Sequence, residues 1–170
     1  MKETFEAYSA RLLSLAADSD PLSVLESTPS RIAELIGARA AAELHWTPAA
    51  ERWSTAQIVS HLADSEIVFA YRLRMILGQP GTPIQAYDQD KWTAALHAHT
   101  SDAHASLALM RAVRQSTVAL LRGLSDEELD RYGMHAERGK ESVRHLIKLY
   151  AGHDRNHLVQ IEQLRGERRA

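Results

Sequence analysis

An all-α fold, a four-helix bundle with one further helix at its N-terminal end, is what this 170-residue chain predicts. Three observations carry that prediction. Apolar residues recur at helical spacing in almost every segment, and no segment alternates apolar with polar residues for long enough to suggest a sheet. Start and stop signals punctuate the chain, with Ser, Thr or Asp ahead of a periodic run and Gly or Pro behind it. Four of the runs are one-sided, and such stripes are buried by packing helix on helix.

Phe5, Tyr8, Leu12, Leu13 and Leu15 outline the first helix, which ends near Asp18. Asp20-Pro21 then supplies a cap and a proline at the first helical position. Thr28-Pro29 repeats the device, so a new segment carrying Ile32, Leu35 and Ile36 is expected to open there and run to about Gly37. The clearest helix begins at Ser54, with Gln57 three residues on to complete a capping box. Its stripe is Ile58, Leu62, Phe69, Leu73 and Ile76, and Gly78-Gln79-Pro80 stops it. Residues 79 to 100 form a long connection with Pro80, Gly81, Pro83 and the cluster Tyr87, Asp88, Asp90 and Trp92; a connection of that length in a small domain is usually functional or packed across the surface. Another helix covers 101 to 124, with Leu107, Met110, Val118, Leu121 and Leu124 facing inward. Ser125-Asp126-Glu127-Glu128 reads as a capped turn, 131 to 140 as an irregular link, and the last helix runs from about 141 to 165. The expected division is a helical extension over residues 1–28 and the bundle over 29–170.

Composition narrows the chemistry. Twenty Lys and Arg stand against 22 Asp and Glu, a net charge of -2, and the basic residues are scattered. Neither nucleic acid nor an anionic membrane is the expected partner of such a surface. Arg165, Arg168 and Arg169 make a small basic tail that reads as a solvated helix end. No run approaches the roughly 20 apolar residues of a membrane span, and the acidic N-terminal stretch is unlike a signal peptide, so a cytoplasmic protein is expected. Cysteine is absent, which excludes disulfides and thiolate ligands, while nine histidines leave imidazole and carboxylate as the ligand chemistry.

Within the last helix, Val143, Leu146, Ile147, Tyr150, Ile161 and Leu164 share one face, and His153, Asp154 and His157 fall inside the same stripe. Imidazoles four residues apart sit one above the other, the spacing that lets both bind one ion. A helical pair of this kind is a weak signal alone; its inward phase strengthens it. His61 lies within about 60° of the stripe on the Ser54 helix and is the candidate third ligand. Asp64, one turn later, either orients that imidazole or is an exposed carboxylate. Glu66, Arg72, Asp88 and Asp90 are expected to form a paired network at the mouth of the bundle, or ordinary surface salt bridges. His45, His97, His99, His104, His135 and His145 read as solvent-facing. Trp46, Trp53 and Trp92 read as core anchors or lid packing, and no glycine pattern supports a phosphate-binding loop.

The run Trp53-Ser54, then Ile58-Val59-Ser60-His61-Leu62-Ala63-Asp64-Ser65-Glu66, and finally His153-Asp154-Arg155-Asn156-His157-Leu158-Val159-Gln160-Ile161 resembles the DinB/YfiT-like superfamily. The likeness spans about residues 29 to 166. It implies a four-helix bundle with unusual connections, frequent homodimers, and a zinc or nickel ion held by three histidines, here His61, His153 and His157. Residues 1 to 28 look like a helix added outside the shared core. Relatives of this type include enzymes that use a low-molecular-weight thiol such as bacillithiol or mycothiol.

Three functional expectations follow. The first is a metal-dependent thiol transferase acting on a small-molecule substrate, with Asp64, Tyr150 or Arg72 moving protons or orienting substrate; a cation lowers the proton affinity of a thiol bound to it. The second is a hydrolase using metal-activated water, with Asp64, Glu66 or Asp154 as general base. The third is a non-catalytic protein whose ion ties two helices together, with Asp154 or Asp64 closing the shell.

Overall fold

The computed structural model describes residues 4–168, with the Phe5 side chain and Arg169 of the basic tail outside what is described. Eight helices follow one another among the described residues: α1 (Phe5–Ala16), α2 (Pro21–Ile36), α3 (Ala41–Leu44), α4 (Thr55–Gly78), α5 (Gln89–Ala95), α6 (Ala103–Arg122), α7 (Asp126–Leu129) and α8 (Val143–Glu167). The long helices α2, α4, α6 and α8 form the bundle: α4 packs on α6 and α8, α2 packs on the same two, and α1 lies along α8. No helix among the described residues is long and apolar enough to cross a membrane.

Caps fix the helix ends where the sequence predicts them. Thr4 and Asp20 accept from the first turns of α1 and α2, and Ser54 with Gln57 closes a reciprocal capping box on α4. Ser125 and Glu128 do the same for α7.

Two local expectations are corrected. Thr28-Pro29 opens no new helix, because α2 runs unbroken through Pro29. A proline inside a helix has no N–H for the carbonyl four residues back, here that of Leu25. That carbonyl is filled from outside, accepting 2.6 Å from a terminal guanidinium nitrogen of Arg114 on α6. The second concerns residues 131 to 140, which form not an irregular link but the hairpin β2 (Tyr132–His135) and β3 (Gly139–Ser142), antiparallel to each other. A short β1 (Pro83–Ile84) pairs parallel to β2, so the long connection after α4 is pinned to the hairpin. Four-residue strands are too short for a period-two pattern to stand out. Gly139, at φ 73°, takes the left-handed conformation that lets the chain reverse before β3.

The core forms two apolar clusters along the bundle. One gathers Ile32, Leu35, Ile58, Leu62, Met110 and Ile161 from the four long helices. The other gathers Leu25, Phe69, Leu73, Val118, Leu146 and Tyr150. Gly152 of α8 allows the close approach of α1: a methyl group there would overlap the carbonyl oxygen of Leu12 and stand 2.5 Å from its carbonyl carbon. α1 is further tied down by Arg155, which donates 2.6 Å to the Leu15 carbonyl, and by Arg11, which donates 2.6 Å to the Asn156 side chain.

Candidate metal centre

Two helices supply three imidazoles. α4 carries His61 on its buried face, and α8 carries His153 and His157 one turn apart. Their Nε2 atoms converge, with His61 3.0 Å and His157 3.1 Å from that of His153. One nitrogen from each lies within 4.8 Å of the others, and no carboxylate joins the group among the described residues. Imidazole nitrogens bound about 2.0–2.1 Å from one tetrahedral ion stand roughly 3.3 Å apart, so the arrangement fits a single cation.

Electrostatics favour the ligand form of each ring. Burial, with the neighbouring His157 adding, lowers the His61 pKa to about 3. Burial lowers His157 to about 4 despite the opposing hydrogen bond of Gln160, and drives His153 well below the usual value, reinforced by the other two rings. All three are therefore neutral near pH 7, with lone pairs available. His157 Nδ1–H donates to Gln160 Oε1 at 2.8 Å, which turns its Nε2 toward the other two. The indole of Trp53 lies 5.0 Å from the His61 ring and stacks at 11° on His157, closing one side with apolar surface.

The carboxylates nominated from the sequence are elsewhere. Glu66 belongs to no network with Arg72, Asp88 and Asp90 at the bundle mouth; it is buried and paired with Arg114. Asp154 pairs with the same guanidinium at 2.7 Å. Arg114 donates four hydrogen bonds, from Nε to Glu66, from one terminal nitrogen to Asp154 and the Leu25 carbonyl, and from the other to Asp154. This buried ion cluster joins α2, α4, α6 and α8 beside the three histidines. Asp64 is half-buried, its pKa raised by burial, and it does not line the cavity described next. Asp88 caps α5 by accepting from the backbone of Asp90 and Lys91.

A cavity of about 810 Å³ opens beside the centre, and its wall includes His153, His157 and Trp53. Arg72 and Tyr150 also line it. Tyr150 stacks on Phe69, with its ring 6.1 Å from that of His153, and burial pushes its phenol pKa up, so the hydroxyl stays protonated. α1 completes the wall with Tyr8, Ser9, Arg11 and Leu12. The reading of six histidines as solvent-facing needs one clear correction. His135 is 3% exposed and lines the cavity, because β2 turns alternate residues inward. His45 and His145 are half-buried, whereas His97, His99 and His104 are exposed. Sequence reasoning missed Arg114; an arginine inside the apolar stripe of α6, between Met110 and Val118, was the available signal. Trp53 and Trp46 pack against the core as expected, and Trp92 sits 40% exposed against Tyr87.

Fold and site together define a helical-bundle protein with a buried three-histidine cage open to a ligand-sized cavity. The chain belongs to the DinB superfamily, whose family model matches residues 25–161. A provisionally named metal-dependent hydrolase of Oceanobacillus iheyensis is 33% identical over 112 residues, which cover 66% of this chain and 64% of that protein. YfiT of Bacillus subtilis, also provisionally named a metal-dependent hydrolase, is 28% identical over 145 residues, 84% of this chain and 81% of that one. The solved structure of YfiT, described as having an unusual four-helix bundle topology, superposes with a TM-score of 0.79 at 24% identity, covering 96% of this chain and 88% of that one. A mycothiol-dependent maleylpyruvate isomerase shares the fold at a TM-score of 0.63 and 15% identity, over 82% of this chain and 58% of that one.

Proposed function

We propose that this chain is a metal-dependent enzyme in which His61, His153 and His157 hold one divalent ion, zinc or nickel, and that its reaction is transfer to or from a low-molecular-weight thiol such as bacillithiol. The observation that carries the metal reading is the convergence of three neutral, buried Nε2 atoms at 3.0–3.1 Å beside an open cavity. When bound, the ion supplies Lewis acidity that lowers the proton affinity of a thiol or a water at its open position.

The surrounding residues support the thiol reading over hydrolysis. Glu66 and Asp154, two of the nominated bases, are held by Arg114, and the third, Asp64, is off the cavity wall. A thiol that ionises at the cation needs no neighbouring carboxylate, and the chain contributes no cysteine of its own. Gln160 orients His157, Trp53 excludes water from one side, and the Tyr150 hydroxyl remains a proton donor facing the substrate space. Hydrolysis stands as the second reading because the relatives' provisional names favour it. A purely structural ion is disfavoured, since a structural site is usually closed by four protein ligands and no carboxylate joins the three imidazoles among the described residues.

Metal analysis of untagged protein tests the ligand set: His157→Ala should lose most of the bound metal, and equal content in variant and wild type would refute it. Titrating the cobalt-substituted protein with bacillithiol separates the reactions. A saturable spectral change supports transfer, and no change with any thiol of a panel points to hydrolysis. A homodimer is proposed from the family resemblance, and sedimentation at micromolar concentration tests it.

A further inference from the structure

The cavity holds a second cluster, away from the three convergent imidazoles, made by Arg72, Tyr150 and His135. Arg72 is 6% exposed and forms no ion pair among the described residues. It donates 2.6 Å to the Gln85 carbonyl and 3.4 Å to the Tyr150 hydroxyl oxygen and lies 5.7 Å from the centre of the Tyr87 ring, which leaves three of its five N–H groups with no hydrogen-bond acceptor among the described residues. A buried guanidinium without an anion is costly, and its planar fork matches a carboxylate held through two parallel hydrogen bonds.

His135 supplies the second, independent observation. Its Nδ1 accepts the Glu137 backbone N–H at 3.2 Å, so in the neutral ring the proton sits on Nε2. That Nε2 is buried with no hydrogen-bond partner, although the ring lines the cavity. An orphaned donor in such a place marks a missing acceptor. The charge of Arg72 reaches the rings of His135, Tyr150 and Tyr87, which puts these groups in one neighbourhood. The other arginines nearby are less available: Arg52 pairs with Glu167 at 2.9 Å, and Arg138 pairs with Glu141.

We propose that Arg72, the Tyr150 hydroxyl and His135 Nε2–H form a seat for a carboxylate on the substrate, so that the enzyme takes small carboxylic acids with the carboxylate anchored here and the reacting group turned toward the three histidines. The orientation rests on the metal-enzyme reading above; the seat itself does not. Tyr150 links the two ends, because its hydroxyl meets Arg72 while its ring neighbours His153.

The test is calorimetric titration of benzoate, benzamide and phenyl phosphate into the full chain, both as purified and after chelator treatment. Benzoate should bind saturably in both preparations and benzamide at least tenfold more weakly. Arg72→Gln should weaken benzoate about 10- to 100-fold, as expected for losing hydrogen bonds to a charged group. Arg72→Lys, which keeps the charge and loses the fork, should fall between, and His135→Phe should lose several-fold. Arg144→Gln, a surface arginine paired with Asp126 and Asp130, should leave benzoate binding unchanged. Equal binding of benzoate and benzamide to the wild type would overturn the proposal without any variant having to fold. So would benzoate affinity that is unchanged in Arg72→Gln, or phenyl phosphate bound tenfold more tightly than benzoate. Metal content of the same samples keeps the two readings apart, since protein that takes up no metal at its three histidines yet binds benzoate through Arg72 refutes only the metal centre.

Discussion

Replacing Arg114 by Met should remove about 3–5 kcal/mol of folding stability at pH 7, the range for breaking a buried ion cluster by deleting one partner. The structure sets the size. The side chains of Glu66 and Asp154 are 0% and 2% exposed, and Arg114 supplies their only ion pairs among the described residues. Methionine fills much of the volume and offers neither a charge nor a donor, so both carboxylates stay buried and unpaired while the Leu25 carbonyl loses its donor too. Domains are stable by roughly 5–15 kcal/mol, so the variant would be folded but marginal. Urea denaturation gives the number directly, and its dependence on pH tests the cause. With the guanidinium gone, nothing opposes the burial that raises the Glu66 pKa in the folded state, so the folded chain binds more protons than the unfolded one in mildly acidic solution. Stability lost at pH 7 is then partly recovered at pH 5.5, where the buried Glu66 is protonated. A deficit under about 1 kcal/mol, or one that grows on acidification, would refute the reasoning. Adding Glu66→Leu and Asp154→Leu should return much of the loss, because an apolar replacement of a whole buried cluster is often neutral.

Three further outcomes are expected. The metal-free wild type should lose stability on acidification below about pH 6.5: unfolding lets the three histidines, whose folded pKa values burial lowers, take up protons, while Glu66, raised to about 7 mainly by burial, binds one proton in the folded state and opposes them. The net of about two protons gives a slope near 2–3 kcal/mol per pH unit around pH 5, measurable by urea titration, and a flat profile would contradict the neutral-histidine cage. Gly152→Ala should displace α1 and forfeit part of the burial of Leu12 and Ala16, a loss of about 2–4 kcal/mol with faster proteolysis within residues 5–16; an unchanged melting temperature would show that α1 does not depend on this close approach. Gln160→Leu should free the His157 ring and weaken metal affinity about 10- to 100-fold in competition with a chelator, against no change if the glutamine does not orient the ligand.

The helices and the three histidines were legible because both depend on local periodicity. The phase of α8 turns His153 and His157 inward whatever they meet, and the capping box at Ser54 sets the phase of α4 that buries His61. What escaped depends on long-range pairing. Glu66 and Asp154 look like candidate bases, and Glu66 like a partner of Arg72, until Arg114, 48 and 40 residues distant along the chain, is seen between them. Pro29 carries the start signal of a helix, and only the arrival of the same arginine shows why a proline is tolerated inside α2. His135 sits in a strand too short to announce its alternation, so its inward face became visible only with the hairpin.

The first helix contributes one side of the chamber over the histidines, yet it lies wholly ahead of residue 25, where the family match begins. Cage and chamber are thus encoded by separable stretches of chain: the three histidines come from α4 and α8, while part of the enclosure comes from α1. Drift in Tyr8, Ser9 or Arg11 can redraw which molecules fit the chamber without disturbing any of the three histidines.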